Sequence, residues 1–447
     1  MKIPQSPPDD QELSEHIAGV PIGALSAAIS QGPSPGDKYR HWETHRRCEP
    51  PNGLSVEAGW WALKMARRSQ ARRIPDLQGM DGNVFWYAMP DPLVRMLSRA
   101  DRALTGQVFG QSIGAHKDQY LIRSVIEEAI TSSQLEGAAV TRVVAKEMLR
   151  TGRPPVNTYE RMIVNNYRAL LKVRSFAHEP LSVELINELR DELVIGTLEP
   201  DQIGRFRQQN DGIGVWDEGS NRLLFTPPPA GESRDRLDQL VAFANRTPEE
   251  DSSYMHPVLK AITLHFWLAY IHPYTDGNGR TARAVFYWYM IRSGYWMAEY
   301  ISISRIIKQA PAAYGKSFLY TETDENDLTY FFLSQLKVLG LAIGDLEAYI
   351  EKKARETQEA GALLGPAMPL NHRQKAVIGH ALRNPRATYT IASHRGSHGV
   401  TYQTARTDLL EMRDLGLLST TKNGRTLLFS PVSNISQVLR SISPITD

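Results

Sequence analysis

Cysteine is almost absent from this chain, with Cys48 the single thiol among 447 residues. One thiol excludes an intramolecular disulfide and a metal site built from several thiolates. Such sparse cysteine use is typical of a reducing compartment, and we therefore expect a cytoplasmic protein.

The chain also lacks an excess of either charge. It has 51 Lys and Arg residues and 49 Asp and Glu residues, which gives a net charge of +2. No global electric field favours nucleic acid or an acidic membrane surface. Any contact with nucleic acid must therefore be local.

Long hydrophobic runs and an export signal are missing as well. The segment Met1–Glu15 carries acidic residues and prolines where a secretory signal needs a basic start followed by an apolar run. The apolar run Ala284–Ile291 ends at Arg292, well short of the ~20 residues that cross a bilayer. We expect a buried helix there and no membrane association.

A hydrophobic content of 42% over 447 residues is typical of a globular protein with two or three domains. Apolar residues recur mostly at spacings of three and four, which predicts a mainly α-helical fold. The predicted parts are a disordered tail over 1–37, a helical domain over 38–177, a helical core over 178–350, a linker over 351–368 and a small C-terminal domain over 369–447.

The helical periodicity is interrupted once inside the core. Short apolar runs at Ile213–Trp216 and Arg222–Phe225 flank Asp217–Ser220, a pattern that predicts a β-hairpin. In the C-terminal domain, three helical segments are followed by a hairpin around Lys422–Gly424. That order predicts a winged helix-turn-helix.

The segment Ile271–Arg283 concentrates the chemistry of the chain. Gly277 and Gly279 let backbone N–H groups turn toward an anion, and a helix beginning near Asn278 adds its unpaired amides and its positive dipole end. We therefore predict a phosphate site.

Charged side chains complete this site. Arg280 and Arg283 lie three positions apart on one helix face, where their guanidinium groups can clamp outer phosphates. Asp276 is the nearest carboxylate for a Mg²⁺ ion that bridges phosphates. His272 can be neutral and basic at pH 7, as a general base must be. By contrast, His265 is expected to be a core histidine with a satisfied ring.

At these residues the chain resembles the Fic family, whose signature is H-P-F-x-[DE]-G-N-G-R-x-x-R; Tyr274 stands where the family has Phe. Most members transfer AMP from ATP to a Ser, Thr or Tyr hydroxyl of a target protein. The resemblance implies that His272 is the base, Asp276 the Mg²⁺ ligand, Gly277–Gly279 the anion cradle, and Arg280 and Arg283 the ligands of the distal phosphates. It also implies a hairpin flap that aligns the target by strand addition, with candidate residues Ile213, Val215, Leu223, Leu224 and Phe225.

A second segment, Ser132–Gly137, resembles the inhibitory motif [ST]-x-x-x-E-[GN] of the same family. The resemblance implies that the Glu136 carboxylate pairs with the Arg283 guanidinium and so keeps ATP from binding productively. Ser132 and Gly137 are the other two residues of this motif. Two alternatives stay open: these residues simply end a helix, or Glu136 positions a water for AMP removal.

The predicted recognition helix of the C-terminal domain carries Gln403, Thr404, Arg406 and Thr407 near its start, with Lys422 and Arg425 on the wing. Such residues suit phosphate and base contacts, but Asp408, Glu411 and Asp414 share the helix. Contact with DNA, dimerisation and target binding are all compatible with this pattern.

Together these features predict an autoinhibited protein adenylyltransferase that uses ATP and Mg²⁺, acts on a target protein or on itself, and has a recruiting C-terminal domain. One alternative is AMP removal or another nucleotide or phosphate transfer at the same site. Another is a DNA-binding regulator that only senses ATP, against which the intact base His272 argues. The target and the oligomeric state, including a homodimer, do not follow from the sequence.

Overall fold

A computed structural model describes residues 2–50, 53–107, 117–217, 221–247, 250, 254–364, 370–385, 387–423 and 426–442. Helices dominate this part of the chain, as predicted. They are α1 (Asp10–Ile17), α2 (Ile22–Ile29), α3 (Trp42–His45), α4 (Val56–Arg68), α5 (Asp91–Leu104), α6 (Lys117–Leu135), α7 (Arg142–Thr151), α8 (Thr158–Ser175), α9 (Val183–Val194), α10 (Ser233–Asn245), α11 (Pro257–Ile271), α12 (Asn278–Arg292), α13 (Ile303–Gln309), α14 (Pro311–Thr323), α15 (Thr329–Leu364), α16 (His372–Arg383), α17 (Ile391–His398), α18 (Tyr402–Asp414) and α19 (Ile435–Ile442).

The strands form three separate antiparallel pairs. In the first pair, Arg72 opposes Tyr87, so the segment after Val84 is a strand rather than a helical turn. The second pair is the predicted hairpin of the core, and the third is the predicted wing. The strands are β1 (Arg72–Gln78), β2 (Val84–Tyr87), β3 (Val215–Asp217), β4 (Arg222–Phe225), β5 (Leu418–Asn423) and β6 (Thr426–Pro431).

Two helices at the centre of the main core, α11 and α12, position the motif. Both are buried on nearly every face: α11 is apolar almost all round, and α12 is apolar from Ala284 to Ile291 but begins with the buried polar residues Asn278, Arg280, Thr281 and Arg283. The loop between them therefore starts and ends on rigid, fully packed elements. Among the described helices, none combines the length and the apolar character that a membrane span requires.

The prediction of a disordered tail over 1–37 was wrong. Asp9 caps α1 in a reciprocal arrangement with Glu12, and Leu13 on this helix is buried. Helices α1 and α2 both pack against α4. The prolines that suggested disorder lie before α1 and after α2, where they do not interrupt either helix.

The predicted linker over 351–368 was wrong for most of its length, because α15 continues without a break to Leu364. The sequence from Glu351 to Leu364 is rich in Glu, Lys, Ala and Leu, which are strong helix formers, so it favours a helix over a loop. Residues 365–368 of the predicted linker lie outside the described residues.

Buried charges join the N-terminal helices to the core. Lys64 on α4 donates to the Asp324 carboxylate over 2.8 Å, and both side chains are almost fully buried. Arg67, one turn further along α4, donates to the Tyr330 hydroxyl on α15 over 2.6 Å. Burial costs such charges their hydration, so each depends on its partner for stability.

The C-terminal segment has the predicted order of three helices and a hairpin, followed by the additional helix α19. It has its own hydrophobic core, which includes Ile378, Leu409 and Phe429. Tyr389 forms an isolated antiparallel bridge with Phe429 of the hairpin. One helix of this segment, α17, packs against α6 and α7.

Removing the cation of the buried pair should weaken the fold. We expect Lys64→Met to destabilise the protein by about 3 kcal/mol, because Asp324 would be left charged and buried without its main partner. The midpoint of urea unfolding measures this loss. Lys337→Ala, which removes an exposed helical lysine, is the control, and an equal midpoint for both variants would contradict the expectation.

Candidate functional site

The loop that carries the motif begins and ends in left-handed backbone conformations. His272 has φ 50° and ψ 55° and closes α11, and Gly277 has φ 90° just before α12. A Cβ at Gly277 would lie 3.1 Å from Val194 Cγ1, so conformation and space both favour glycine there. Only five residues, Pro273–Gly277, therefore separate His272 from the first amides of α12.

Asn278 fastens the middle of this loop. Its Oδ1 accepts from the Tyr274 amide over 3.0 Å, and its Nδ2 donates to the Tyr274 carbonyl over 2.8 Å. The Tyr274 ring is buried, and its hydroxyl donates to Asn187 Oδ1 over 2.7 Å. The departure from the family's Phe therefore adds a satisfied hydroxyl to the core, as expected.

Two buried arginines that sequence analysis missed hold the loop from outside. Arg207 donates through Nε to the His272 carbonyl over 2.7 Å, and its amide donates to the Pro273 carbonyl over 2.9 Å. Arg190 donates to the Asp276 carbonyl over 3.2 Å. No local signal distinguishes such arginines from surface residues, because their partners are carbonyls far away in the sequence.

The His272 ring is held in an orientation suited to a base. Its Nδ1 lies 3.3 Å from the Ala269 carbonyl, and a hydrogen bond there requires the proton on Nδ1. That tautomer leaves the lone pair on Nε2. Burial lowers the pKa of His272 below its ordinary value of 6.5, although the Ala269 bond and the nearby Glu136 and Asp276 oppose the shift. The neutral ring is therefore the form present at pH 7.

Asp276 and Arg280 form an ion pair at the start of α12, with Oδ2 and Nη2 2.9 Å apart. The other carboxylate oxygen, Oδ1, accepts from the Gly277 amide over 2.6 Å. Arg280 also donates to the Leu193 carbonyl over 3.1 Å, while its buried Nε has no hydrogen-bond partner. In this arrangement both terminal nitrogens of Arg280 are hydrogen-bonded within the chain, one of them to Asp276, whose carboxylate it orients.

The donor set fits a Mg²⁺ ion that is held mainly by substrate. Asp276 is partly exposed and offers one carboxylate, and Mg²⁺ in nucleotide sites usually takes one or two carboxylates together with phosphate oxygens and water. Over the described ranges, no cluster of three or more His, Cys, Asp or Glu side chains is available to hold a metal alone. A metal would therefore need the phosphates as additional ligands.

Glu136 reaches into the site from the end of α6. Its Oε1 lies 2.8 Å from Arg283 Nη2, and a Cβ on Gly279 would lie 2.3 Å from the same oxygen. The carboxylate thus lies directly against the glycine backbone of the predicted anion cradle and is paired with the predicted phosphate-binding arginine. The structure places an anionic group of the chain itself where a phosphate is predicted.

Ser132 supports the same contact. Its hydroxyl accepts from Arg283 Nε over 3.0 Å, and its carbonyl accepts from Arg283 Nη2 over 3.2 Å. Arg283 is buried, so these bonds, together with Glu136, compensate its lost hydration. Gly137 follows with φ 89° and turns the chain away from α6. Two residues of the predicted inhibitory motif, Ser132 and Glu136, therefore contact Arg283 together, and Gly137 lies just beyond the end of α6.

The hairpin β3–β4 lies next to the loop. Val215 opposes Phe225 and Trp216 opposes Leu223, with a bulge between the two pairs. The Phe225 ring is 5.1 Å from that of Tyr270, two residues before His272. Ile213, Val215, Leu224 and Phe225 are half-buried, and Leu223 is exposed. Within the described chain the hairpin is a sheet of its own, and its turn, 218–220, falls outside that part.

His265 has the structural role that was predicted for it. Its Nε2 lies 2.9 Å from the Tyr314 hydroxyl, and the ring is buried. Burial lowers the pKa of His265 to about 3, so it stays neutral and satisfied in the core.

The site thus combines a glycine turn at a helix N-terminus, a buried arginine paired with a carboxylate of the chain, a partly exposed aspartate and a buried histidine, which are the groups that the predicted phosphate chemistry needs. Residues 180–290 match the model of the Fic/DOC family. This segment of the chain is therefore a Fic domain.

Curated relatives match over the same region. The chain is 31% identical over 118 residues to the protein adenylyltransferase fic-1 of Caenorhabditis elegans, which is 26% of this chain and 21% of that protein. It is 33% identical over 117 residues to the protein adenylyltransferase Fic of Nematostella vectensis, which is 26% of this chain and 24% of that protein. The chain thus spans less than a quarter of the length of these relatives.

Solved Fic proteins also align with this chain. A Fic family protein from Desulfovibrio desulfuricans G20 covers 78% of this chain and 98% of its own, at 16% identity and a TM-score of 0.49. The C. elegans Fic-1 structure covers 58% of this chain and 73% of its own, at 19% identity and a TM-score of 0.45.

The protonation of His272 can be measured directly. We expect its NMR titration midpoint below 6.5, because burial disfavours the imidazolium and the ring protonates only as the pH falls further. Glu136→Gln should lower the midpoint again, because the Glu136 charge favours the imidazolium. A midpoint that rises in Glu136→Gln would contradict this electrostatic account. The exposed His372 is the internal reference for each spectrum.

Proposed function

We propose that this chain is a protein adenylyltransferase that moves AMP from ATP to a Ser, Thr or Tyr hydroxyl of a target protein, and that Glu136 holds it inactive. One observation carries the proposal. A neutral His272 lies beside the predicted anion cradle, and in that cradle the Glu136 carboxylate is paired with Arg283 in the position proposed for a phosphate. The names of the curated relatives support the same activity.

The proposed reaction is a displacement at the α-phosphorus of ATP. Nε2 of His272 takes the proton of the target hydroxyl, and the hydroxyl oxygen forms a bond to the α-phosphorus. The bond from that phosphorus to the bridging oxygen breaks, and pyrophosphate leaves. Arg283 and the amides at the start of α12 stabilise the negative charge that develops on the departing phosphates.

The proposed cofactor is Mg²⁺, with Asp276 as its protein ligand. When bound, the ion would neutralise charge on the phosphates and help to orient them. Arg280 supports this role because its ion pair fixes the direction of the Asp276 carboxylate. We assign Arg280 to the positioning of Asp276 and Arg283 to the distal phosphate.

The proposed inhibition is direct competition for Arg283. A phosphate cannot enter between Arg283 and Gly279 while the Glu136 carboxylate fills that space, since both would be anionic and both need the same guanidinium. Release requires Glu136 to leave. An inhibited state favoured by ~3 kcal/mol would leave about 1% of the molecules competent.

The proposed target surface is the free edge of the β3–β4 flap. Backbone groups at such an edge can pair with an extended target segment, and the exposed Trp216 and Leu223 offer apolar contacts to its side chains. Phe225 against Tyr270 fixes the flap close to His272, so a paired segment would place its hydroxyl near the base.

Transfer of α-labelled AMP tests this proposal. With ATP and Mg²⁺, we expect Glu136→Gly to label protein in a lysate about 100-fold faster than the wild type, because it frees Arg283. Adding His272→Ala to that variant should lower transfer by 10²- to 10⁴-fold through loss of the base. The same reactions without lysate test self-modification.

Glu15→Gly is the matched control, because this exposed glutamate lies on α1, outside the α6–α7 hairpin, and makes no contact with Arg283. Absence of label in every variant would overturn transferase activity. Removal of AMP from a labelled target by the wild type, lost in Glu136→Gly, would instead support the hydrolytic alternative.

We further propose that the C-terminal domain contacts duplex DNA through α18 and the wing. The acidic residues of α18 that spoke against this role have partners of their own: Asp408 is buried against Arg373 and His394, and Glu411 accepts from Gln374. The exposed start of the helix carries Gln403, Arg406 and Thr407, and Lys422 is exposed on the wing; Arg425 lies outside the described residues.

Fluorescence anisotropy with labelled duplex DNA tests this role. We expect Arg406→Ala and Lys422→Ala each to weaken binding and to reduce the salt dependence by about one released counterion. Arg99→Ala removes an exposed arginine that pairs with Glu347 on α15 and should bind like the wild type. If all three variants weakened DNA binding equally, the binding would depend only on the overall charge of the protein, which would contradict the proposal.

A further inference from the structure

The C-terminal domain touches the helical hairpin that presents Glu136. Helix α17 packs on α6 and α7, and its Gly396 lies against the backbone of Arg150 at the end of α7. A Cβ on Gly396 would lie 2.6 Å from the Arg150 carbonyl oxygen, closer than real Cβ atoms come. Arg150 also donates to the Ser397 hydroxyl over 2.7 Å. Glycine therefore permits a close contact that any side chain would disturb.

The contact is linked to Glu136 through α7. Glu136 lies in the short turn between α6, which ends at Leu135, and α7, which begins at Arg142. Arg142 grips Glu127 of α6 with two nitrogens, from Nε to Oε2 over 2.9 Å and from Nη2 to Oε1 over 2.5 Å. A small apolar cluster also joins α6 to α7 and α8; its buried members are Ile126, Ile130, Ala145, Met148 and Ile163. A displacement of α7 therefore shifts one end of the turn that carries Glu136.

Two surface clefts border α6. One passes between Arg123 on α6 and Asp345 on α15, and the other lies between Val125 on α6 and Leu170 on α8. Between them α6 is bonded to its neighbours, as where Ser124 donates to the Ile301 carbonyl over 2.9 Å, so we expect any movement to be concentrated at the end of α6 and in the turn that carries Glu136. The contact of α17 with α6 and α7 does not use the exposed start of α18, which is the face proposed to contact DNA.

We infer that the C-terminal domain braces the inhibitory hairpin, with Gly396 and Arg150 as the contact that keeps Glu136 on Arg283. The regulatory consequence rests on the proposed transferase activity: loosening α17 from α7 releases Glu136 and raises AMP transfer. Gly396 and Arg150 are positioning residues, since neither touches the phosphate site.

Two alanine substitutions on helices form the test. Gly396→Ala inserts a methyl group against the Arg150 carbonyl, whereas Gly340→Ala on α15 meets no atom within 4 Å. Both changes raise helix propensity equally, so only the first should weaken docking. Arg150→Ala removes the bond to Ser397 without adding volume and serves as a second variant should Gly396→Ala disturb the domain itself.

Hydrogen exchange of the full-length protein is the primary measurement. In Gly396→Ala we expect faster exchange over 391–398 and 142–151, and at least about 3-fold faster exchange over 132–138, where Glu136 lies. Exchange over 372–383 should stay unchanged, which shows that the domain remains folded. Gly340→Ala should match the wild type throughout.

AMP transfer is the second measurement. We expect Gly396→Ala and Arg150→Ala to raise transfer roughly 3- to 10-fold over the wild type, and less than Glu136→Gly does. Faster exchange over 391–398 with unchanged exchange over 132–138 would overturn the brace, as would equal behaviour of Gly396→Ala and Gly340→Ala. If Glu136→Gly itself transfers no label, the proposed function fails, whereas exchange over 132–138 still decides the brace.

Discussion

The contact between Glu136 and Arg283 is the interaction on which the arrangement of the site depends. Arg283 is buried near the start of α12, where its charge needs an anion, and the adjoining glycine backbone at Gly279 leaves space for one. With Glu136 present, that need is met from within the chain. The same chemistry that makes the cradle suitable for a phosphate therefore makes it suitable for an internal carboxylate.

If Glu136 and a phosphate are to compete for one position at Arg283, the loop beside that position must be rigid. This loop is rigid because its backbone is hydrogen-bonded from several sides. Arg207 and Arg190 donate to loop carbonyls, and Asn278 closes the loop on itself. Three loop carbonyls are thereby satisfied by buried side chains. The first amides of α12 have no carbonyl partner within the helix, so in the proposed site they are the groups available to an anion.

The sequence predicted the chemistry of this site better than the extent of the helices around it. His272, Asp276 and Arg283 lie in one short motif, and the contact of Glu136 with Arg283 was expected from the resemblance of Ser132–Gly137 to the inhibitory motif of the family. Arg207 was missed because its partners are backbone carbonyls distant in sequence, which no spacing rule reveals. The tail and the linker were misjudged because proline and charge content were weighed above capping at Asp9 and the helix formers of α15.

The residues proposed for catalysis and for its control lie in different parts of the chain. The Fic domain match covers 180–290, which includes His272 and Arg283 but not Glu136. Glu136 comes from a preceding hairpin, so the proposed release would move that hairpin and leave the loop between α11 and α12 in place. That hairpin in turn contacts α17, far along the chain. In the proposed regulation, Glu136 is held by its own hairpin and, through α17, by the C-terminal domain, so a movement of either can displace it from Arg283. A carboxylate within the loop between α11 and α12 could not be displaced in this way.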